Sequence, residues 1–91
     1  MSDWTFFSNH AHALFVLSSR ESITVRELAM EVGITERFAH KVISDLFEDD
    51  YIFIEKVGRQ NQYKVNYKKK LRHSVEEHIN TGDLIDLISR K

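Results

Sequence analysis

The stretch TVRELAMEVGITERFAHKVISDL, residues 24–46, contains two helical patterns separated by a single glycine. Thr24 followed by Glu27 fits a capping box, in which side chains and helix-end amides satisfy each other. Gly33 stands where a helix usually ends in a left-handed residue, and Thr35 is placed to cap a second helix. Two short helices joined by a tight glycine turn predict a helix-turn-helix.

Apolar residues recur in both helices at the spacing of one buried face. A generic helical hairpin would also have a glycine at its turn. The short first helix and Ile34 directly after the glycine favour the helix-turn-helix. The predicted buried residues are Leu28, Ala29 and Val32 in the first helix and Ala39, Val42, Ile43 and Leu46 in the second.

Beyond Asp50 the pattern changes to strand-like runs. YIFIEKV (residues 51–57) and QYKVNY (62–67) are rich in β-branched and aromatic residues, and GRQN (58–61) separates them. This predicts a hairpin with about four loop residues. A helix-turn-helix followed by a two-stranded hairpin is the winged-helix arrangement.

Two further helices flank this unit. SNHAHALFVLSSR, residues 8–20, predicts a first helix capped by Ser8. The C-terminal segment, residues 74–91, predicts a terminal helix with Ser74 and Glu77 as its capping box. The fold class is therefore mainly α with a small β-hairpin: a three-helix core, a two-stranded wing and a C-terminal helix.

The chain is long enough for one domain, residues 1–91, near the lower limit of what a single apolar core stabilises. Chains this short often gain core by dimerising. The apolar face of residues 74–91 therefore predicts a homodimer interface; packing back over the first helix is the alternative. Trp4, Phe6 and Phe7 are interpreted as core or dimer contacts rather than a ligand site.

Composition excludes several classes of protein. There is no cysteine, which excludes disulfides and thiolate metal sites. The sequence has neither a signal-peptide pattern nor eighteen consecutive apolar residues, which predicts a cytoplasmic protein. It has no phosphate-binding glycine loop, nucleophile elbow or metal-hydrolase motif. We therefore expect no enzyme activity and no cofactor.

Charge is unevenly distributed along the chain. Residues 1–55 hold four Lys or Arg against ten Asp or Glu, whereas residues 56–73 hold seven basic residues and no acidic one. A concentrated positive segment is typical of a surface that contacts phosphate. A solvated charge run in a linker is the alternative.

Four segments in this order, SNHAHALFVLS, GITERFAHKVISDL, VGRQNQYKVN and LRHSVEEH, resemble the short prokaryotic winged-helix regulators called MarR-like. The resemblance implies DNA binding and transcription regulation, without indicating an operator or an effector. The chain departs from the family pattern at Gln60 and Gln62, where the pattern has arginine, and at Asp50, where it has glycine. The glutamines lower the phosphate affinity that we expect.

In a helix-turn-helix the second helix enters the major groove of double-stranded DNA. Arg37 is the best candidate for a base contact, since its fork can pair with guanine. Glu36 could accept from a cytosine amino group, and Lys41 is expected at a phosphate. The residues expected to face outward on this helix are Thr35, Glu36, Arg37, His40, Lys41 and Ser44. The alternative is a solvent-exposed face with ordinary helical pairs such as Glu36 with His40.

The hairpin supplies a second set of candidates. Arg59 at its tip would enter a narrow, electronegative minor groove, and Gly58 would let the backbone approach closely. The remaining wing candidates are Lys56, Gln60, Asn61 and Lys64, with Lys68, Lys69 and Lys70 following. Such contacts position a protein on DNA without reading its sequence.

Two other functions stay open. A winged helix can dock on a protein, and the acidic first half would suit a basic partner; RNA is a further variant. A metal-responsive regulator would use the histidine pairs His10 with His12 and His73 with His78. Their spacings match no standard metal site, and residues two apart on a helix point away from each other.

Overall fold

A computed structural model describes residues 3–89, which form six regular elements. Their order confirms a helix-turn-helix followed by a hairpin and a terminal helix. The elements are α1 (Asn9–Ser19), α2 (Val25–Val32), α3 (Glu36–Glu48), β1 (Ile52–Val57), β2 (Gln60–Val65) and α4 (Thr81–Ser89).

The caps predicted for α2 and α3 are both present. Thr24 Oγ1 accepts from the Glu27 amide at 3.1 Å, and Glu27 Oε1 accepts from the Thr24 amide at 3.0 Å. Hydrogen bonding of the Glu27 carboxylate to the Thr24 backbone amide, followed by that to the Thr24 side chain, lowers the pKa of Glu27. Thr35 Oγ1 accepts from the Phe38 amide at 3.0 Å. These bonds satisfy amides that would otherwise lack partners at the helix starts.

Both helices of the helix-turn-helix end in the left-handed region. Gly33 has φ 84°, and the following amide, of Ile34, donates to Ala29 O at 3.0 Å. Asp50 has φ 64°, and the amide of Tyr51 donates to a carbonyl of α3 at 2.8 Å. Each pattern is a Schellman motif, which turns the chain sharply out of its helix.

The core lies where α1, α2, α3 and the base of the hairpin meet. Leu17, Leu28 and Val42 are fully buried, and each such side chain contributes about 1.5–3 kcal/mol relative to exposure. The predicted apolar face of α3 is confirmed, because Ala39, Val42, Ile43 and Leu46 are all buried.

The hairpin turn is tighter than the sequence predicted. Val57 pairs with Gln60, so the loop contains two residues, Gly58 and Arg59, rather than four. Gly58 has φ 64° and Arg59 is not in the left-handed region, the pattern of a type II′ turn. Gln60 and Asn61 therefore belong to β2, a correction that follows from the conformational freedom of Gly58.

The hairpin is anchored at its base and free at its tip. Ile52, Tyr63 and Val65 are buried, whereas all residues from 53 to 61 are exposed. The Tyr63 amide donates to Glu21 O at 3.0 Å, which ties β2 to the segment between α1 and α2. The apolar base thus holds the exposed finger, in which Phe53, Ile54 and Val57 accompany polar residues, away from the core.

The terminal helix is shorter than predicted. It begins at Thr81, and residues 74–79 form turns instead of a first helical turn. Asn80 Oδ1 accepts from the Asp83 amide at 2.8 Å, and Asp83 Oδ2 accepts from the Asn80 amide at 3.4 Å. The prediction of a capping box at Ser74 is therefore wrong. The last two residues of the predicted terminal helix, 90 and 91, lie outside the described residues.

The late start of α4 follows from the loop before it, residues 66–80, which we call the wing-base loop. The Thr81 amide donates to Lys69 O at 2.8 Å and the Leu71 amide to Ile79 O at 3.0 Å, so the two ends of the loop pair with each other. The Gly82 amide donates to Tyr67 O at 2.8 Å. A Cβ at Gly82 would stand 3.0 Å from that oxygen, which is tighter than an ordinary van der Waals contact, so a larger residue would push the two segments apart by a few tenths of an ångström.

The N-terminal aromatics are not core residues. Trp4 and Phe6 are 66% and 89% exposed and contact each other edge to face, with ring centroids 5.2 Å apart. Phe7 packs edge to face on Phe15 of α1 at 5.4 Å. The core interpretation of Trp4 and Phe6 is wrong, because α1 turns its buried face toward α2 and α3 instead.

The architecture is a winged helix-turn-helix: three helices around one core, a two-stranded antiparallel wing and a C-terminal helix. Between residues 3 and 89, no helix has both the length and the apolar character needed to cross a membrane.

Candidate nucleic-acid interface

The N-terminal half of α3 presents an exposed polar face. Arg37, His40, Lys41 and Ser44 are all exposed, and Arg37 has no ion-pair or hydrogen-bond partner among residues 3–89. Their spacing of three and four residues places them on one side of the helix, opposite the core-facing residues. Arg37 is therefore free to pair with a ligand.

The start of α3 adds helix-end amides and one acidic residue. The Thr35 hydroxyl is occupied in capping, since it accepts from the Phe38 amide. Glu36 is exposed in the first turn and forms no bond with His40, the pairing that a merely solvated face would allow.

Lys41 belongs to a three-residue cluster that joins α1 to α3. Its Nζ donates to Asp45 Oδ1 at 2.6 Å, and His10 Nε2 lies 2.9 Å from Asp45 Oδ2. The hydrogen bond from Lys41, followed by that from His10, lowers the pKa of Asp45. The same bond raises the pKa of Lys41. Lys41 is therefore a partly neutralised cation rather than a free one.

The wing carries the second exposed set. Arg59 occupies the second position of the turn and, within the described residues, has no hydrogen-bond or ion-pair partner. Lys56 and Asn61 face each other across the strands one pair before the tip. Lys64 lies nearer the base, where its Nζ is 3.8 Å from Glu55 Oε2. Charge at the tip thus comes from Arg59 and Lys56.

The lysine triplet, residues 68–70, lies in the wing-base loop and not beside the tip. Strands of six residues extend about 20 Å at roughly 3.3 Å per residue. The seven basic residues of the positive segment therefore separate into two groups, one on the wing and one at its base.

Sequence reasoning missed Asp45, which was assigned no role. Its spacing of four residues from Lys41 was a readable signal for a helical ion pair. The contact with His10 was not readable, because 35 residues separate the two positions. Within residues 3–89, no three His, Asp or Glu side chains come together as a metal site would need.

Comparison with known proteins addresses the fold. No protein-family model matches the chain, and no curated protein does. Among the solved structures that match is the zinc-dependent MarR family transcriptional regulator AdcR in its Zn(II)-bound state, with a TM-score of 0.55 and 23% identity. The match covers 72% of this chain and 47% of the AdcR chain, so the chain aligns with about half of that regulator. This likeness shows a MarR-like winged-helix fold.

Proposed function

We propose that this protein is a homodimeric, sequence-specific binder of double-stranded DNA that regulates transcription. The observation that carries the proposal is the pair of exposed guanidiniums, Arg37 on α3 and Arg59 on the wing, which lack partners within residues 3–89. Arg20 and Arg72, by contrast, are ion-paired to carboxylates. Arg26 also lacks a partner within residues 3–89, but it lies on α2, outside the recognition helix and the wing. Leaving an arginine unpaired on a recognition element suits contact with an external anion.

In the proposed complex, α3 lies in the major groove and reads base edges with its N-terminal residues. Arg37 donates to O6 and N7 of a guanine, and Glu36 accepts from a cytosine amino group. His40 and Ser44 lie further along the same face. Thr35 and Lys41 contact phosphate, with Lys41 sharing its charge with Asp45.

The wing positions the protein on the duplex. Arg59 enters the minor groove, where a narrow groove concentrates negative potential. Lys56 and Lys64 approach the phosphates on either side, and Gln60 and Asn61 donate to sugar or phosphate oxygens without adding charge. These contacts supply affinity that depends on salt, whereas α3 supplies sequence preference.

A homodimer would place two copies of α3 on half-sites about one helical turn apart. Support comes from α4, whose Leu87 and Ile88 are 61% and 42% exposed, although both are aliphatic. Trp4 and Phe6 are exposed as well, and a second copy could cover apolar side chains of this kind. The domain of residues 1–91 would then carry both the DNA-contacting and the dimerising surface.

A protein-binding winged helix is the second candidate, favoured by the ten acidic residues among the first 55. Retention on heparin separates the two functions, because a phosphate-binding surface is retained despite a sequence pI near 6.5. Zinc dependence is a property of AdcR and forms no part of the proposal.

The test is selection from a random duplex library at stated salt, with wild type, Arg37→Ala and Arg59→Ala. We expect wild type to enrich a near-palindrome. Arg37→Ala should relax the preference at one base position, at a cost of about 1–3 kcal/mol. Arg59→Ala should weaken binding to all sequences and flatten the salt dependence.

Arg26 provides a matched control, since it is an exposed arginine on α2 rather than on α3 or the wing. Arg26→Ala should leave both the motif and the salt dependence unchanged. The DNA assignment fails when no motif is enriched, or when Arg37→Ala and Arg26→Ala behave alike.

A further inference from the structure

A cleft of about 890 Å³ lies at the base of the wing, where the chain leaves the strands that carry the wing candidates for DNA contact. Its basic lining consists of Lys68, Lys69, Lys70 and Arg72, and Tyr51 lies between them and the end of α3. The cleft is shallow and open to solvent over most of its extent, so a ligand in it would stay partly exposed.

The backbone that carries these lysines is held in place. Lys69 O accepts from both the amide and the hydroxyl of Thr81, at 2.8 and 2.9 Å. Lys70 O accepts from the Tyr51 hydroxyl at 2.7 Å, and Tyr51 is itself buried. Burial raises the pKa of the Tyr51 phenol, which keeps it a neutral donor. The cations therefore project from a fixed loop rather than from a flexible tail.

The cations that line the cleft outnumber the carboxylates that line it or pair with it. Arg72 donates to Asp49 at 2.8 Å, and Lys69 Nζ lies 5.7 Å from the centroid of the Tyr51 ring. Lys68 and Lys70 have no acidic partner within the described residues, and Glu77 is the one carboxylate that lines the cleft. Cations gathered on one concave surface repel one another, and a bound anion relieves that repulsion.

The cleft is distant from both ends of the proposed DNA surface. The wing strands separate it from Arg59 by about 20 Å at roughly 3.3 Å per residue. The thirteen residues of α3 separate it from Thr35 by a similar distance, about 20 Å at 1.5 Å per residue. A duplex that contacts Arg37 and Arg59 does not need to enter it.

We propose that this cleft binds a small free anion that carries two or more phosphate groups. Lysine ammoniums act as point charges that suit the multiply charged phosphate, and an arginine fork can bind either phosphate or carboxylate. Here the lysines are free and the fork of Arg72 is already engaged by Asp49. The ligand adds a function that DNA binding does not require.

The test is isothermal titration of the full chain with inorganic pyrophosphate at fixed ionic strength. Wild type should bind one pyrophosphate per chain. The double variant K68Q/K70Q should lose about a hundredfold in affinity, because charge-assisted bonds of this kind contribute roughly tenfold each. These two lysines are exposed, and Lys69 is left intact because it packs over Tyr51.

The matched control is K56Q/K64Q, which removes the same charge from the wing and should bind pyrophosphate as wild type does. K68R/K70R restores the charge and should recover most of the affinity. No binding by wild type, or equal loss in the two glutamine variants, overturns the proposal.

A second arm identifies the source of the phosphate. The sequence placed Lys68 and Lys70 next to the wing candidates for DNA contact, so duplex binding by K68Q/K70Q is measured across a salt series. If the cleft binds a free anion, this variant should have the affinity and salt slope of wild type. A flattened salt slope in this variant would place DNA phosphates in the cleft and overturn the free-anion assignment. Pyrophosphate titration requires no DNA binding, so this proposal and the proposed function can fail separately.

Discussion

Asp50 is a single residue whose backbone conformation determines how α3 passes into the wing. Its φ of 64° lies in the left-handed region, which costs a residue with a Cβ energy that glycine avoids. Asp50→Gly should therefore stabilise the fold by about 0.5–1 kcal/mol, after the greater unfolded-state freedom of glycine is subtracted. Urea unfolding at pH 7 measures the change. Asp49→Gly is the control and should destabilise, because Asp49 has φ −95° and accepts from Arg72.

Asp45 gives a pH prediction at the same scale. Lys41 and His10 depress its folded-state pKa below the ordinary 3.8. The stability it contributes is present above 3.8 and is lost as pH falls through the folded-state pKa. Asp45→Asn should therefore lower the melting temperature at pH 7, and the difference from wild type should shrink as pH falls below 3.8. Asp86→Asn, an exposed change on α4, should leave melting unchanged; equal effects of the two variants would contradict the prediction.

At the scale of elements, two similar capping sequences precede α4, and the helix starts at one of them. Ser74 with Glu77 and Asn80 with Asp83 both fit a capping box, and only the second is used. Asn80→Ala should lower the free energy of unfolding by about 1 kcal/mol, whereas Ser74→Ala should change it by less than about 0.5 kcal/mol. Chemical denaturation compares the two. A larger loss of unfolding free energy for Ser74→Ala than for Asn80→Ala would contradict a helix start at Thr81.

The loop length of the hairpin was also not predictable from local sequence. Runs rich in β-branched and aromatic residues predicted both strands, and Gly58 marked the turn, but the loop length depended on which residues pair. Val57 opposite Gln60 leaves two loop residues, and that register is set by burial of Ile52, Tyr63 and Val65 at the base. Register follows from the packing of one face, and for that reason local sequence did not specify it.

At the scale of the whole molecule, the proposed dimer makes a direct prediction. Leu87→Asp places a charge on the exposed apolar side of α4 and should convert a sedimenting dimer to a monomer at micromolar concentration. Met30→Asp is the matched control, since Met30 is 75% exposed on α2. It should leave the dimer intact. Wild type that sediments as a monomer throughout, or equal dissociation by both variants, would remove α4 from the interface.

The sequence by itself determined the elements and their limits where the cause is local. Thr24, Thr35 and Gly33 act on residues within one helical turn, and the spacing of Ala39, Val42 and Leu46 selects one face of one helix. Such signals are readable because the interacting atoms lie a few residues apart. The outward positions of Arg37 and Arg59 follow from the same local patterns.

Only the tertiary structure decided which side chains meet across the chain. The contact of His10 with Asp45 spans 35 residues, and the bond from Tyr51 to Lys70 spans 19. The same long-range pairing closed the wing-base loop, moved the start of α4 to Thr81 and separated the lysine triplet from the wing tip. Contacts of this kind depend on how complete elements pack against each other. Burial and backbone pairing bring distant residues together, and no short stretch of sequence contains both partners of such a contact.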